Sequence, residues 1–541
     1  MKVLRTAAAR FGRMAASDPA PGPWWAVLVA LGTVLLAPLL VIDVPPLLDY
    51  PNHLARALVL ARGNHDPVLA RFYAPDWKIV PNLGLDLLLP GLLRVLPVHV
   101  AGRLFLGLTL LAPVAGVLLF HRATFGRRRF WPILSVLVAA NGLFLLGFLN
   151  FSLSIGLAFA VAAAWARFRE PRPALAATLC MAGSVAVFFC HLWGVLLLNL
   201  LILSQEGEAL LGEAGPRAVM GAAVRRAPLL LPVLAPPVLL LAWSPLGGAH
   251  SAVRWNGSFD KLMLLLAPLL NYSLWLDLVS AALLLGLVGR WLRAGRLRVP
   301  PRTTIAFCML ALLFAATPYG AKRAAWLDVR FPVMAGFLLF AGTDPRPSSG
   351  RQAAMAATAL PLLFVLRTAL LALVWAHHAS DLRQLRAAIA SVPPGARVLV
   401  VFASPHLNHA FWHRPGRPWA RQVEHLTTTE FHEAALLLIE RRAFWPLLFS
   451  EESQQPVRVR APFARLSVGA EAPPDFRALA HDHLDEQDRL HAPYLAHWRR
   501  DFDLLLVLDA EALPDPHHFM PGTLSPLDDA GFAALFRIRK P

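Results

Sequence analysis

The chain has 541 residues, of which 57% are hydrophobic and only 16% are charged, and its mean hydropathy is +0.53. Soluble domains carry about 25% charged residues, so the composition excludes an ordinary soluble protein and predicts a polytopic membrane protein. The formal net charge of +17 does not indicate nucleic-acid binding. The arginines instead cluster between alternate apolar segments, which is the pattern of the positive-inside rule.

About eleven apolar segments approach the length needed to cross a bilayer as a helix. Arginine clusters such as 127–129 and 290–302 mark the loops expected in the cytosol. An odd number of spans puts the N-terminal tail (1–23) inside and the C-terminus outside. The predicted spans are 24–43, 99–119, 132–149, 151–167, 174–190, 192–204, 228–243, 274–291, 303–317, 331–343 and 353–376.

These spans define a transmembrane domain, 24–379, with a long first exported loop, 44–98. Residues 380–541 are richer in charge and proline and contain no predicted span. Short apolar runs there indicate buried strands, with helical patterns before and between them, so a soluble α/β domain outside the membrane is expected. The predicted strands are 397–402, 502–508 and 533–538, and the helical patterns are 380–391 and 429–444.

The first exported loop opens with a polar motif in which Asp49 precedes Tyr50-Pro51-Asn52 and His53. Pro51 suits the first turn of a helix, and a helix beginning at Tyr50 would put Asp49 and His53 near the same face. The acid could then hold the imidazole, or both could face one ligand. A simpler alternative is that Asp49 only caps the helix and that His53 is an interfacial histidine.

Other polar residues lie near the predicted outer face or within spans. Asn82 precedes, and Asp86 lies within, an apolar helix, 83–96, that is expected along the interface rather than across the membrane. His191, with Asn141 and Asn150, lies in or at the ends of spans, where polar residues line a groove or hydrogen-bond neighbouring helices. The loop 244–273, which contains His250, Arg254, Trp255, Asn256, Asp260 and Lys261, is a weaker candidate for acceptor or lipid contacts.

Lys322, Arg323 and Arg330 lie between the predicted spans 303–317 and 331–343. The predicted topology puts these cations outside, against the positive-inside bias. Binding a phosphate or pyrophosphate at the membrane face would explain them, because Arg and Lys neutralise phosphate oxygens. Snorkelling of long basic side chains to the interface is the alternative.

The motif Asp49-x-Pro51-x-His53-Leu54-Ala55 resembles the acidic motif of the GT-C class of integral-membrane glycosyltransferases, which use lipid-phosphate-linked sugars. The Arg330-Phe331-Pro332 start of an apolar segment is similar to an Arg-aromatic-x-x-Pro pattern of that class. The overall arrangement of spans with an external C-terminal domain also resembles it. Many members have Asp-Glu where this chain has Asp49-Tyr50, so a role of the second acid, including metal binding, does not carry over.

The resemblance implies an inverting, polyprenyl-phosphate-sugar-dependent hexosyl- or pentosyltransferase. It would act at the outer face of a bacterial inner membrane, with a cytosolic N-terminus and a periplasmic C-terminal domain. Asp49 would be the catalytic base, with His53 orienting it or contacting the donor, and the basic residues Lys322, Arg323 and Arg330 would bind the donor phosphate. Asn82, Asp86 and His191 are candidates for lining the substrate site. The acceptor would be a glycan, lipid or protein, no nucleotide or redox cofactor is required, and a divalent metal stays an open alternative.

The alternative function is a non-catalytic membrane protein, either a transporter or a scaffold for envelope-polysaccharide assembly. Transporters place ionisable groups near mid-membrane and often contain inverted repeats, whereas this chain concentrates charge in the predicted outer loops and shows no repeat. The C-terminal histidines, from His406 to His491, have no recognised zinc spacing and are expected to be scattered surface residues. No Walker loop, Rossmann glycine fingerprint or Gly-x-Ser-x-Gly motif indicates a nucleotide-driven pump or a hydrolase.

Overall fold

The structure, a computed structural model, describes residues 19–248, 252–321, 324–346, 350–403, 419–423, 427–469, 471–479, 486–513 and 519–541. The chain is mostly helical. In chain order its helices are α1 (Pro21–Leu36), α2 (Tyr50–Arg62), α3 (Pro67–Phe72), α4 (Gly84–Leu93), α5 (Val98–Phe125), α6 (Gly142–Leu145), α7 (Leu149–Phe168), α8 (Pro173–Cys190), α9 (Leu192–Leu211), α10 (Pro216–Trp243), α11 (Ser258–Met263), α12 (Leu274–Arg293), α13 (Pro301–Ala316), α14 (Arg330–Gly342), α15 (Gly350–Ile389), α16 (Leu436–Arg441), α17 (Glu486–His491) and α18 (Trp498–Asp501).

Within the described residues, eight helices are long and apolar enough to cross a membrane. The chain is therefore a multi-pass membrane protein, as predicted. Three further apolar helices, α4, α13 and α14, are shorter. The candidate spans are Pro21–Leu40, α5, α7, α8, α9, α10, α12 and Met355–Ile389.

The predicted span 132–149 is not a continuous helix. It consists of a 3₁₀ helix, Trp131–Val138, and the single-turn helix α6. Asn141 ends the first piece and begins the second, because its Oδ1 accepts the free backbone N–H groups of Leu143 and Phe144. Gly147 then turns the chain with φ +82°. The segment lies buried in the bundle. Its apolar composition therefore predicted its burial but not the path of its backbone.

Helices α5 and α7 form the closest packed pair of the bundle. A side chain on Gly116 would collide with the backbone carbonyl of Gly156, and one on Gly156 with the backbone at Ala112 and Pro113. Small residues at such contacts let two helix backbones approach closely, which is how helices associate in lipid. This packing fixes the start of α7, and with it the polar residues next to the cavity described below.

In chain order the strands are β1 (Tyr73–Pro75), β2 (Leu297–Arg298), β3 (Asp344–Pro345), β4 (Val398–Phe402), β5 (Val457–Val459), β6 (Leu504–Leu508), β7 (Leu524–Asp529) and β8 (Ala533–Ile538). The C-terminal region contains a four-stranded sheet with the strand order β4, β6, β8, β7. The three predicted strands all form, and β4 and β6 pair in parallel while the others are antiparallel. Their continuous apolar sequences match complete burial of β4 and β6. Of the predicted helical patterns, 380–391 is the end of α15, and 429–444 contains a 3₁₀ turn and α16.

The first loop and the C-terminal region pack against each other. Strand β1 (Tyr73–Pro75) of the loop pairs with β5 (Val457–Val459). Arg386, near the end of α15, bonds both Asp43 and Glu440. The predicted domain boundary at 379 and 380 lies inside α15, which runs without interruption from the apolar bundle to the sheet.

Candidate functional site

Asp49 lies in the turn that leads into α2, which begins at Tyr50 as the sequence predicts. The backbone N–H groups of Leu48 and Asp49 donate to the carbonyls of Leu145 and Leu146 at 3.1 and 3.2 Å. A Cβ on Gly147 would stand 2.9 Å from the Asp49 Cβ, so only glycine allows this approach. The broken segment after Val138 therefore helps to hold Asp49 in position.

The side chain of Asp49 does not cap α2. It makes no hydrogen bond to the first amides of the helix, so the capping alternative is wrong. The carboxylate instead points toward the imidazole of His432, with Oδ1 3.6 Å from Nε2, and only 18% of the side chain is exposed. Burial raises the pKa of Asp49 from 3.8 to about 7, against the opposing charge of Arg56. The group can therefore both accept and release a proton near neutral pH.

Asn52 fixes the tautomer of His432. Its Oδ1 accepts the backbone N–H of Phe449 and its Nδ2 donates to the carbonyl of Leu447, both at 2.8 Å, so the orientation of the amide is determined. The same Nδ2 lies 3.3 Å from His432 Nδ1, which must then accept. Burial lowers the pKa of His432 to about 3, so the ring is neutral and its proton is on Nε2, the atom facing Asp49.

His53 lies one helical turn after Asp49 and lines the same cavity. Its ring packs edge-on against Phe449 at 5.2 Å, and Phe449 also contacts His432. Burial, together with Arg56 and His432, lowers the pKa of His53 well below its usual value. His53 is consequently a neutral polar group of the wall.

Arg330 begins α14 and is also part of the cavity wall. Its guanidinium donates to the carbonyl of Trp326 at 2.7 Å and to that of Ala325 at 3.3 Å. The rings of Phe148 and Trp193 lie 5.0 and 5.5 Å from its central carbon. Among the described residues it forms no ion pair with a carboxylate, and its Nε has no hydrogen-bond partner. A buried cation held in this way attracts an anionic ligand.

Two other nitrogen groups line the cavity near this cation. The exposed Arg254 pairs through its backbone with Gly320 at 2.9 and 3.1 Å, and its guanidinium lies over Tyr319. His191 separates α8 from α9, and its Nδ1 accepts the N–H of Trp193, which leaves Nε2 as the donor when the ring is neutral. The other predicted phosphate-binding residues, Lys322 and Arg323, lie outside the described residues.

Asn82 lines the cavity and is tied to the start of α7. The side chain of Asn150 donates to the carbonyl and to Oδ1 of Asn82 at 2.7 and 2.9 Å and accepts the N–H of Leu85 at 2.6 Å. Asn82 adopts φ +78°, a conformation that asparagine tolerates better than most residues. This network anchors the second half of the first loop to the bundle.

Asp86 does not line the cavity. Both of its oxygens accept hydrogen bonds from Arg56, at 2.7 and 2.8 Å, and neither side chain is exposed. This fully buried bidentate pair joins α2 to α4. Both carboxylate oxygens of Asp86 are therefore occupied by the structural contact with Arg56.

The cavity has a volume of about 680 Å³ and combines walls from the bundle, the first loop and the C-terminal region. It brings together five of the predicted site residues: Asp49, His53, Asn82, His191 and Arg330. Residues that the sequence did not single out as site residues complete it from the C-terminal side. These are Thr427, Phe431, His432, Phe449, Gln454, Gln455, Glu471, Ala472, Pro473, Pro474, Asp475, His491 and Ala492.

Sequence reasoning missed His432 and gave only a weak signal for Arg254. His432 is one of many C-terminal histidines with no metal-binding spacing, and nothing local distinguishes it; its contact with Asn52 spans 380 positions. Within the described part of the chain, no group of three or more His, Cys, Asp or Glu residues could hold a metal ion.

Comparison with known proteins adds no family assignment. No family model, curated protein or solved structure matches this chain.

Proposed function

We propose that this protein is a membrane glycosyltransferase of the GT-C type, which transfers a sugar from a polyprenyl-phosphate-linked donor to an acceptor at the outer face of a bacterial inner membrane. One observation carries the proposal. A single cavity contains a carboxylate whose pKa is raised to about 7, Asp49, and a buried guanidinium without a carboxylate partner among the described residues, Arg330. A base and an anion site in one cavity are what displacement of a phosphate leaving group requires.

In the proposed reaction Asp49 removes the proton from the acceptor nucleophile as that atom attacks the anomeric carbon. The new glycosidic bond forms on the face opposite the phosphate, so the configuration is inverted. The bond between the anomeric carbon and the phosphate oxygen breaks, and its electron pair leaves with the polyprenyl phosphate. A carboxylate with a pKa near the working pH is well suited to this step, because it is more basic than an ordinary carboxylate while a substantial fraction of it is still ionised.

Arg330 is proposed to bind the donor phosphate and to stabilise the charge that grows on it. Its guanidinium is held by the Trp326 carbonyl and two aromatic rings, so it would lose little freedom when an anion binds. Arg254 and the Nε2–H of His191 supply further donors, and Lys322 and Arg323 belong to the same proposal. The free energy comes from the activated sugar phosphate, so the reaction needs no nucleotide or redox cofactor.

A transfer assay with defined polyprenyl-phosphate sugars tests the proposal on the purified protein in lipid nanodiscs. Asp49→Asn should reduce the rate by about 10²–10⁴-fold, the usual contribution of a general base. Asp76→Asn is the matched control, because Asp76 is a half-buried acid of the same loop, paired with Lys78 and outside the cavity. Equal turnover by Asp49→Asn and wild type would reject Asp49 as base. No transfer by wild type from any lipid-linked sugar would favour the non-catalytic alternative.

A further inference from the structure

The segment between α10 and α12 exposes apolar side chains although it is not itself a candidate span. We call residues 252–266 the rim segment. No residue of its short helix α11 is buried. Five of its large apolar side chains leave between 51% and 61% of their surface exposed, and these are Val253, Trp255, Phe259, Leu262 and Leu265, whereas Leu264 is buried. Soluble surfaces rarely expose a continuous apolar patch of this kind.

Exposed tryptophans flank the rim segment on both sides. Trp243 is the last residue of α10 and Trp275 is in the first turn of α12, and both are largely exposed. Both helices are candidate spans, so these two rings mark neighbouring helix ends. Tryptophan is enriched where membrane helices meet the lipid headgroups. Along the chain, the patch therefore lies between the tryptophan-bearing ends of two candidate spans.

Lys261 attaches the rim segment to the end of α13. Its Nζ donates to the carbonyls of Ala315 and Thr317 at 3.2 and 2.8 Å. The same ammonium lies over the rings of Trp255 and Phe314. The lysine therefore satisfies the free carbonyls of a helix end, while the indole of Trp255 stays exposed.

Arginines concentrate at the opposite ends of the two adjoining helices. Arg290 and Arg293 are in the last turn of α12, and Arg302, at the start of α13, pairs with Glu208. The rim segment joins the arginine-poor ends of these helices. This distribution separates a strongly basic end of the bundle from an aromatic end.

The rim segment also reaches the cavity. Arg254 directly precedes the exposed Trp255, lines the cavity, and pairs with Gly320 through two backbone hydrogen bonds. One stretch of chain therefore has apolar side chains on the outer surface of the protein and a guanidinium at the cavity. Such an arrangement matches an amphiphile with an apolar chain and an anionic head.

We infer that the rim segment lies in the headgroup–acyl boundary of the bilayer and forms the membrane-side entrance through which a long-chain polyprenyl phosphate reaches the cavity. Immersion in lipid follows from the exposed aromatic and aliphatic residues alone. The identity of the amphiphile rests on the proposed function. The two parts therefore require separate measurements.

Spin labelling tests immersion without any need for activity. Cys308 is exposed whereas Cys180 and Cys190 are buried, so Cys308→Ser gives a suitable background for single labels. Labels would be attached to Phe259→Cys, to Leu312→Cys on the exposed face of α13, and to Leu527→Cys on the sheet. We expect the Phe259 position to favour collisions with oxygen over a water-soluble nickel complex, as at Leu312. A ratio of oxygen to nickel collisions equal to that at Leu527 would overturn the inference that the rim segment lies in lipid.

Binding kinetics test the entrance role. The double variant Trp255→Ser and Phe259→Ser should slow association of a long-chain polyprenyl monophosphate several-fold and leave a short, water-soluble isoprenyl monophosphate unaffected. An equal loss for both ligands, or no loss for either, would contradict an entrance for the lipid chain. If wild type binds neither ligand, both the entrance role and the proposed function fail, while the spin-label result on immersion still stands.

Discussion

Asp49 and Asp86 are two enclosed carboxylates of the same loop, and they differ in what faces them. Asp86 is neutralised by a bidentate pair with Arg56 and lies outside the cavity. Asp49 faces a neutral imidazole at 3.6 Å and a cavity with a volume of about 680 Å³. Burial raises the pKa of both carboxylates, against the charge of Arg56 in each case. The difference lies in their contacts: both oxygens of Asp86 are bonded to the guanidinium of Arg56, whereas the carboxylate of Asp49 lines the cavity and stays available to take a proton.

The arginines show the same contrast. Arg386 binds two carboxylates, Asp43 and Glu440, at the contact between the first loop and the C-terminal region. Arg330 is held by backbone carbonyls and aromatic rings instead. Carbonyl dipoles position a guanidinium without cancelling its charge, so Arg330 keeps an electrostatic attraction for an anion that Arg386 has lost.

The largest expected effect is on stability and concerns the paired acid. Asp86→Asn leaves Arg56 as a buried charge without its partner, which costs about 3–5 kcal/mol. Denaturant unfolding in a fixed detergent, followed by tryptophan fluorescence, measures the loss. Asp76→Asn breaks only a partly exposed pair with Lys78 and should change stability by about 0–1 kcal/mol. Equal midpoints for the two variants would mean that the Arg56–Asp86 pair does not join α2 to α4 as described.

Asp49→Asn is expected to increase the stability of the fold, whereas Asp86→Asn decreases it. The pKa of Asp49 is about 7 in the folded protein and 3.8 for an ordinary aspartate, so the folded state binds the proton more tightly. Above pH 7 the wild type must hold a buried anion, and removing it should stabilise the fold by about 2–4 kcal/mol. The gain should shrink as the pH falls from 7 to 4, because the acid is then protonated in both states. A loss of stability at pH 8 would refute the raised pKa.

Apolar runs and turn signals predicted the coarse architecture well. The multi-pass helical bundle, the helix α2 around Pro51 and the three predicted strands all follow from hydrophobic patterning and proline placement. The span expected at 132–149 does not form, because Asn141 and Gly147 redirect a chain that composition alone describes as a helix. Burial was readable from composition there, but the path of the backbone was not.

The candidate site was only partly predictable for a different reason. Asp49, His53 and Arg330 stand out locally, since charge at a membrane exit needs an explanation. His432 acquires its position through Asn52 and through pairing of distant strands such as β1 with β5. No signal within a short window of sequence reports such a contact. Conversely, Asp86 was selected on local grounds, and its partner Arg56 became apparent only from the packing of α2 against α4.

The next effect is on ligand affinity, and it distinguishes Arg330 from Arg254, the two arginines of the cavity. Arg330→Met should weaken binding of a polyprenyl monophosphate by about 1.5–3 kcal/mol, the usual value of a hydrogen bond to a charged group. Arg254→Gln should cost less, about 0.2–1 kcal/mol, because this side chain is exposed. Calorimetry on nanodisc-embedded protein compares the two, with unchanged unfolding midpoints as the control for folding. Unaltered affinity in Arg330→Met would leave snorkelling as the explanation of this residue.

The smallest expected effect concerns His432, whose neutral Nε2–H faces Asp49. An N–H donor aimed at a carboxylate favours the charged form, so His432→Phe should raise the pKa of Asp49 while keeping the aromatic contact with Phe449. The acidic limb of the pH–rate profile should move to higher pH by less than about one unit, because the N–H is 3.6 Å from the carboxylate and so contributes less than the roughly 0.5–1.5 kcal/mol of a neutral hydrogen bond. His432→Gln retains a donor and should restore most of the shift. A lower rate with an unchanged pH profile in His432→Phe would show that His432 acts through packing alone. The pKa of Asp49 would then be independent of the His432 N–H.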